Sequence, residues 1–300
     1  MDNSEQNSRE IPISIIVFII ILSILFGGNT VAVKIAFKGF GIFTSAGIRF
    51  TIAAMVISCW AFYTRRPFRL KRGQLKHITI LSLVFSMQLG IFYIGLANTY
   101  ASRATLIMNM QPFLLLILAH FFIPGDQVSI KKIISMAFGF TGVLLLFADG
   151  FSEHIRYGDF AVLTTATLWA INATYIKKII GNFRSFQLVL YPMYFSGPLY
   201  LFIGYFIDDP VYKTINWSIV FAMFYQAFIT ASFGFIMWNS LLKKYKATSV
   251  HNFIFIMPIS GVIASSLILN EPITSNIILS LIFIIAGIVL LQYRFNGFKP

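Results

Sequence analysis

Two asparagines stand where apolar helices have least use for them. Asn29 follows Gly27 and Gly28 in "ILFGGNTVAVK" (24–34), and Asn172 lies in "TLWAINATYIK" (167–177). Polar groups inside a membrane span are costly, so they face a bundle interior or a wet cavity. Two readings of the pair stay open: symmetric amides lining a midplane site, or amides that glue helices by hydrogen bonds. The glycines beside Asn29 permit close helix approach or a local bend.

Other residues fall into matching positions. Helical spacing puts Thr105, Asn109 and Pro112 on one face, and His251, Phe255 and Pro258 on another. Each proline frees a carbonyl one turn back, which serves as an acceptor toward a cavity or as a hinge. Gln88 and Tyr93 in one run, with Phe233, Trp238 and Asn239 in a second, add amides and rings. Together with Trp169 these aromatics suit an organic solute that has an apolar or cationic part. Arg49 also lies within a run, where it snorkels to headgroups, pairs with a carbonyl or holds a solute carboxylate.

What is missing narrows the chemistry further. No Asp or Glu is expected in the interior of a span; Asp126 and Glu271 fall at span ends, near helix starts. A carboxylate proton relay is therefore not expected, and His251 is the main alternative group for coupling. The four histidines (77, 120, 154 and 251) lack metal-ligand spacing, and no GxxxxGK[ST] phosphate loop occurs. No catalytic residues, cofactor or metal site follow from the sequence, and an enzyme would need converging groups of that kind. Cys59 is the single cysteine, so no internal disulfide can form.

The elements that position these residues follow from composition. The 300-residue chain is 58% hydrophobic and 11% charged, with mean hydropathy +0.81. Soluble domains carry about 25% charged residues, so the solvent for this chain is lipid. Runs near 20 apolar residues suffice to cross the hydrocarbon as helices. Ten appear, at 11–36, 41–63, 77–98, 102–123, 130–148, 158–178, 184–207, 216–242, 247–269 and 273–293. The N-terminal segment carries three acids and one base, unlike a secretory signal, and reads as a cytoplasmic tail before an uncleaved first span.

Charge sets direction. With both termini cytoplasmic, seventeen of the 23 basic residues fall inside and five outside, while Arg49 lies within a span. The positive-inside rule favours that orientation. It also accounts for the net charge of +13 without nucleic acid.

A shift of 143 places Asn172 on Asn29, Trp169 on Phe26 and Lys177 on Lys34. The stretch 101–126 likewise matches 247–271, with Pro112 on Pro258, and Gly142 falls on Gly287. Five spans per half make the repeats inverted, an architecture by which many transporters alternate access to a midplane site. The expected organisation is a tail (1–10), a first repeat (11–148), an external linker (149–157), a second repeat (158–293) and a tail (294–300).

"FGGNTVAVKIAFKG…AGIRF", "YASRATLIMNMQPFLLLILAHFF", "MWNSLLKKYKATSVHNFIFIMPISGVIASSLILNEPIT" and "AGIVLL" together resemble the EamA-type transporters of the drug/metabolite transporter superfamily. The resemblance covers essentially the whole chain. It implies an all-α protein of ten transmembrane helices with a central cavity lined by the first, third, fourth, sixth, eighth and ninth. It also implies small organic metabolites as substrates, often amino acids and often exported, in a bacterial-type cytoplasmic membrane. Within that family the second helix lies off the cavity, which favours a structural role for Arg49. Gln111 departs from the acid that many members carry there. Expected partners are a small organic solute and membrane lipids, with the chain as monomer or homodimer. The alternative is a non-transporting membrane scaffold or sensor.

Overall fold

The computed structural model describes residues 12–122, 129–148, 153–245 and 253–292. These are almost entirely helical, and no sheet forms among them beyond an isolated bridge between Phe40 and Tyr212. In chain order the helices are α1 (Ile13–Gly27), α2 (Asn29–Ala36), α3 (Ile42–Tyr63), α4 (Arg72–Ala97), α5 (Ala101–Met108) and α6 (Gln111–Phe122). They continue with α7 (Ile130–Phe147), α8 (Glu153–Ile179), α9 (Gln187–Ile207), α10 (Trp217–Phe224), α11 (Phe235–Lys244), α12 (Ile256–Leu269) and α13 (Ser275–Gln292). A π-helical segment, Tyr225–Gly234, joins α10 to α11.

Six helical stretches among the described residues are long and apolar enough to cross a membrane; Ile256–Leu269 and Ser275–Leu291 are shorter apolar helices. Large apolar side chains such as Phe202, Phe206, Trp217, Phe221 and Leu267 remain exposed on the outside of the bundle. A soluble monomer does not present a contiguous apolar surface on that scale. The protein is a multi-pass membrane protein.

Three of the expected runs are not uniform helices, and each departure has a local cause. The first bends at Gly28 between α1 and α2. The fourth breaks at Asn109–Met110, because Pro112 has no N–H to give to Met108 and the turn before it closes on shorter bonds. The eighth widens into i→i+5 bonding from Tyr225 to Gly234, and the Ser232 hydroxyl donates five residues back to Ala227 O at 2.6 Å. Such bulges gather at functional positions in helices.

Helices pack where small residues let backbones meet. A Cβ on Gly27 would stand 2.0 Å from Ser260 Oγ and 2.5 Å from Met257 O, so α1 lies directly against α12. Gly142 and Gly287 do the same between α7 and α13. The other extensive pairings are α3 with α9 and α4 with α8.

One end of the bundle is tied by charge. Asn270 adopts the left-handed conformation that asparagine tolerates and turns the chain after α12. The Glu271 carboxylate then accepts from Ala101 N at 2.7 Å and Ser102 N at 2.9 Å, the first turn of α5. Lys34 of α2 lies 3.6 Å from it. The Asp208 carboxylate caps α3 in the same way, accepting from Thr44 N at 2.7 Å and Phe43 N at 3.3 Å. Arg103 Nε donates to Asp159 Oδ2 at 2.9 Å, and both side chains are fully buried.

That last pair is buried inside the bundle rather than set at its surface. They sit just inside the ends of α5 and α8, where helix packing seals each against the other. Sequence spacing alone does not bring positions 103 and 159 together.

Candidate functional site

Halfway along the bundle, toward the end that carries Lys177 and Lys178, lies a cavity of about 360 Å³. Its size falls in the range of ligand sites, roughly 300–1,000 Å³. The first half of the chain contributes Phe26 from α1, Met108 and Asn109 from the end of α5, and Gln111, Pro112 and Leu115 from α6. Trp169, Ala170 and Ala173 of α8, Phe235 and Trp238 of α11, and Ile254 and Met257 around the start of α12 complete it. The break in the fourth run puts Asn109 and Gln111 on the wall, since a continuous helix would turn those amides differently. Rings supply most of the remaining surface: Phe26 packs 6.0 Å from both Phe235 and Trp238. Such a wall binds an apolar body, while the two amides orient a polar head.

The residues singled out by sequence divide into groups. Asn109, Trp169, Trp238 and Pro112 line the cavity. Asn29 and Asn172 do not; each bonds to a neighbouring helix. Asn29 Oδ1 accepts from the Thr230 hydroxyl at 2.9 Å, and Asn172 Nδ2 donates to Gln88 Oε1 at 3.5 Å. The first bond joins the first and eighth runs, and the second joins the sixth and third, so the repeat preserves the contact itself. Among the described residues, Gln88 Nε2 and Asn172 Oδ1 are buried with no hydrogen-bond partner.

Thr105 is buried and shares a 2.6 Å hydrogen bond with Thr30, one turn beyond the cavity. Tyr93 is fully buried, and its hydroxyl accepts from Arg49 Nη1 at 3.4 Å. Phe255 packs on the main core just before α12, and Pro258 is buried within α12. Gly28 lies near Tyr225, whose hydroxyl donates to Leu25 O.

Phe233 departs from expectation. It is 44% exposed and meets Phe18 edge-on at 6.3 Å, outside the cavity. The π-helical segment changes the angular step per residue, so a position extrapolated at 3.6 residues per turn lands on the outer face. Asn239 belongs to α11, but its side chain lies outside the described positions, as does the whole of His251.

Comparison with known proteins decides the family. The EamA-like transporter family model matches residues 13–148 and 156–293. The chain belongs to the EamA-like transporter family.

Relatives of this EamA-like chain include a protein named "Uncharacterized transporter YvbV" from Bacillus subtilis (strain 168), 26% identical over 85% of this chain and 83% of its own length. A protein named "Probable amino-acid metabolite efflux pump" from Escherichia coli (strain K12) is 23% identical over 91% of this chain and 92% of its own. A solved structure titled only as the crystal structure of a protein shares the fold, with TM-score 0.67 at 14% identity, covering 91% of this chain and 95% of that one. The homologues are named as transporters, in line with a protein that is not an enzyme.

Sequence reasoning missed Phe235, Met257 and Ile254 as lining residues of this EamA-like cavity. Phe26 was within reach, because the internal repeat aligns it with Trp169. Thr230 gave no such signal: it acts only through the helix that the π segment turns toward Asn29.

Proposed function

We propose that this protein is a secondary transporter that exports a small organic solute, an amino acid or a related metabolite. It works by alternating access of two inverted five-helix repeats, residues 11–148 and 158–293, that form ten membrane spans. Both termini lie on the cytoplasmic side of the cytoplasmic membrane, as the basic residues favour.

One observation carries the reading: the cavity is shared, with aromatic walls contributed from both halves of the chain and the two amides, Asn109 and Gln111, from the first. The helix pairings support the pseudo-twofold. Extensive contacts join the second run to the seventh and the fifth to the tenth, which are equivalent positions. The first run packs on the ninth as the fourth packs on the sixth. The lining residues of the second half lie toward the ends of their helices nearest Lys177 and Lys178, whereas Lys34 and Glu271 tie the far end. The relative named an amino-acid metabolite efflux pump supports the substrate class and the direction.

Coupling by a buried carboxylate finds no support at the cavity. Asp159 and Glu271 are both buried, but one is bound to Arg103 and the other to α5 and Lys34. Movement down the solute gradient is the simpler scheme.

Flux of a radiolabelled amino-acid pool into proteoliposomes, with and without a pH gradient, tests this reading. The expected result is equilibration that follows the solute gradient and falls in Trp169→Ala. Accumulation that requires the pH gradient would overturn the uncoupled scheme. Absence of flux for every solute would favour a scaffold or sensor.

A further inference from the structure

Arg49 holds a charge that the described protein does not neutralise. It lies two turns into an apolar helix, α3, and is only 6% exposed, so its charge is held inside the bundle. Its Nη1 donates to Tyr93 Oη and its Nη2 to Thr230 Oγ1, both at 3.4 Å, long for bonds from a guanidinium. Nε has no hydrogen-bond partner, and the guanidinium carbon stands 5.1 Å from the Phe50 ring.

Among the described residues every carboxylate is engaged elsewhere or exposed. Asp159 belongs to Arg103, Asp208 to the start of α3, and Glu271 to α5 and Lys34. Glu153 and Asp209 are exposed. A buried cation without a counter-charge is the costliest kind of group a membrane protein can keep, and such groups mark solute pathways.

The surroundings are those of a polar subsite. Thr230 joins Arg49 to Asn29, which stays partly exposed. Gln226 Oε1, one turn before Thr230, is buried without a partner. Asn29 lies one turn beyond Phe26, and Thr230 about one turn before Phe235; those two rings belong to the cavity wall. The cluster is thus the next polar station past the aromatic wall.

We propose that Arg49 is the carboxylate-recognising residue of the solute site, holding the α-carboxylate of an amino acid while the aromatic wall takes its side chain. This rests on the transport reading above. Guanidinium and carboxylate match in bidentate geometry, and the long bonds from Nη1 to Tyr93 and from Nη2 to Thr230 leave Nε and further N–H groups to donate.

The test is competition during counterflow of a labelled neutral amino-acid pool in proteoliposomes. Competitors are L-leucine and L-phenylalanine, each paired with its decarboxylated amine, isoamylamine or phenethylamine. The expected result is at least a tenfold preference for an acid over its amine in the wild type. The preference is lost in Arg49→Met and partly kept in Arg49→Lys. A structural arginine predicts a lower melting temperature for Arg49→Met; a solute-binding arginine predicts one no lower than that of the unliganded wild type. Equal competition by acid and amine, competition by neither, or a preference that survives Arg49→Met would each overturn the assignment. The first and last would leave the transport reading standing. No counterflow of the pool in the wild type would refute the amino-acid reading itself, and this assignment with it.

Discussion

Replacing Glu271 with glutamine should loosen the tied end of the bundle. The carboxylate accepts from Ala101 N, Ser102 N and the Ser102 hydroxyl at 2.7, 2.9 and 3.0 Å, and it faces Lys34 at 3.6 Å. Bonds to a charged acceptor contribute about 1.5–3 kcal/mol each, against about 0.5–1.5 for neutral ones. A carboxylate at a partly buried helix start gains up to about 2 kcal/mol from the dipole. Glutamine keeps one acceptor oxygen, loses the charge and turns an N–H₂ toward backbone donors. The net weakening comes to about 3 kcal/mol, roughly a hundredfold in the equilibrium between tied and open ends.

A single cysteine at Thr30, in a background where the exposed Cys59 is alanine, reports this directly. Thr30 is buried just inside the Lys34–Glu271 tie. Its modification by a membrane-impermeant thiol reagent, added from the Lys38 side, should run at least tenfold faster in Glu271→Gln. An unchanged rate would mean that the tie contributes nothing to closure.

Further outcomes follow from the same geometry. Asp159→Asn leaves the fully buried Arg103 without its counter-charge and should cost about 3–5 kcal/mol, read as a lower melting temperature. The double variant Asp159→Leu/Arg103→Met should recover most of that loss. Trp169→Ala and Trp238→Ala should weaken solute affinity in the counterflow assay, whereas Phe233→Ala, on the outer face, should leave it unchanged. Gly27→Ala drives a methyl group into Ser260 and Met257 O of α12 and should destabilise the protein by about 1–3 kcal/mol. Ser260→Ala should restore part of it.

Much of this arrangement was legible in the residues, and the limits are physical. Apolar runs located the helices because lipid leaves the backbone no other solution. The repeat paired Phe26 with Trp169, and both line the cavity. It also paired Asn29 with Asn172, but whether an amide faces solute or a neighbouring helix depends on rotation about the helix axis, which polarity does not encode. The π segment lay beyond periodicity, since it alters the period itself and moves Phe233 outward. The Arg103–Asp159 pair and the setting of Arg49 are tertiary facts, made by helices that meet far apart in sequence.

Spin-label distances at both ends of the bundle show whether the two repeats alternate access. One label pair, at Lys38 and Ile273, spans the Lys34–Glu271 tie; the other, at Ile13 and Ile180, spans the cavity end. Two distance populations are expected at each end. As the first pair separates the second should close, and transported solute should shift the balance. A single distance at each end, unmoved by any amino acid that the protein binds, would contradict alternating access.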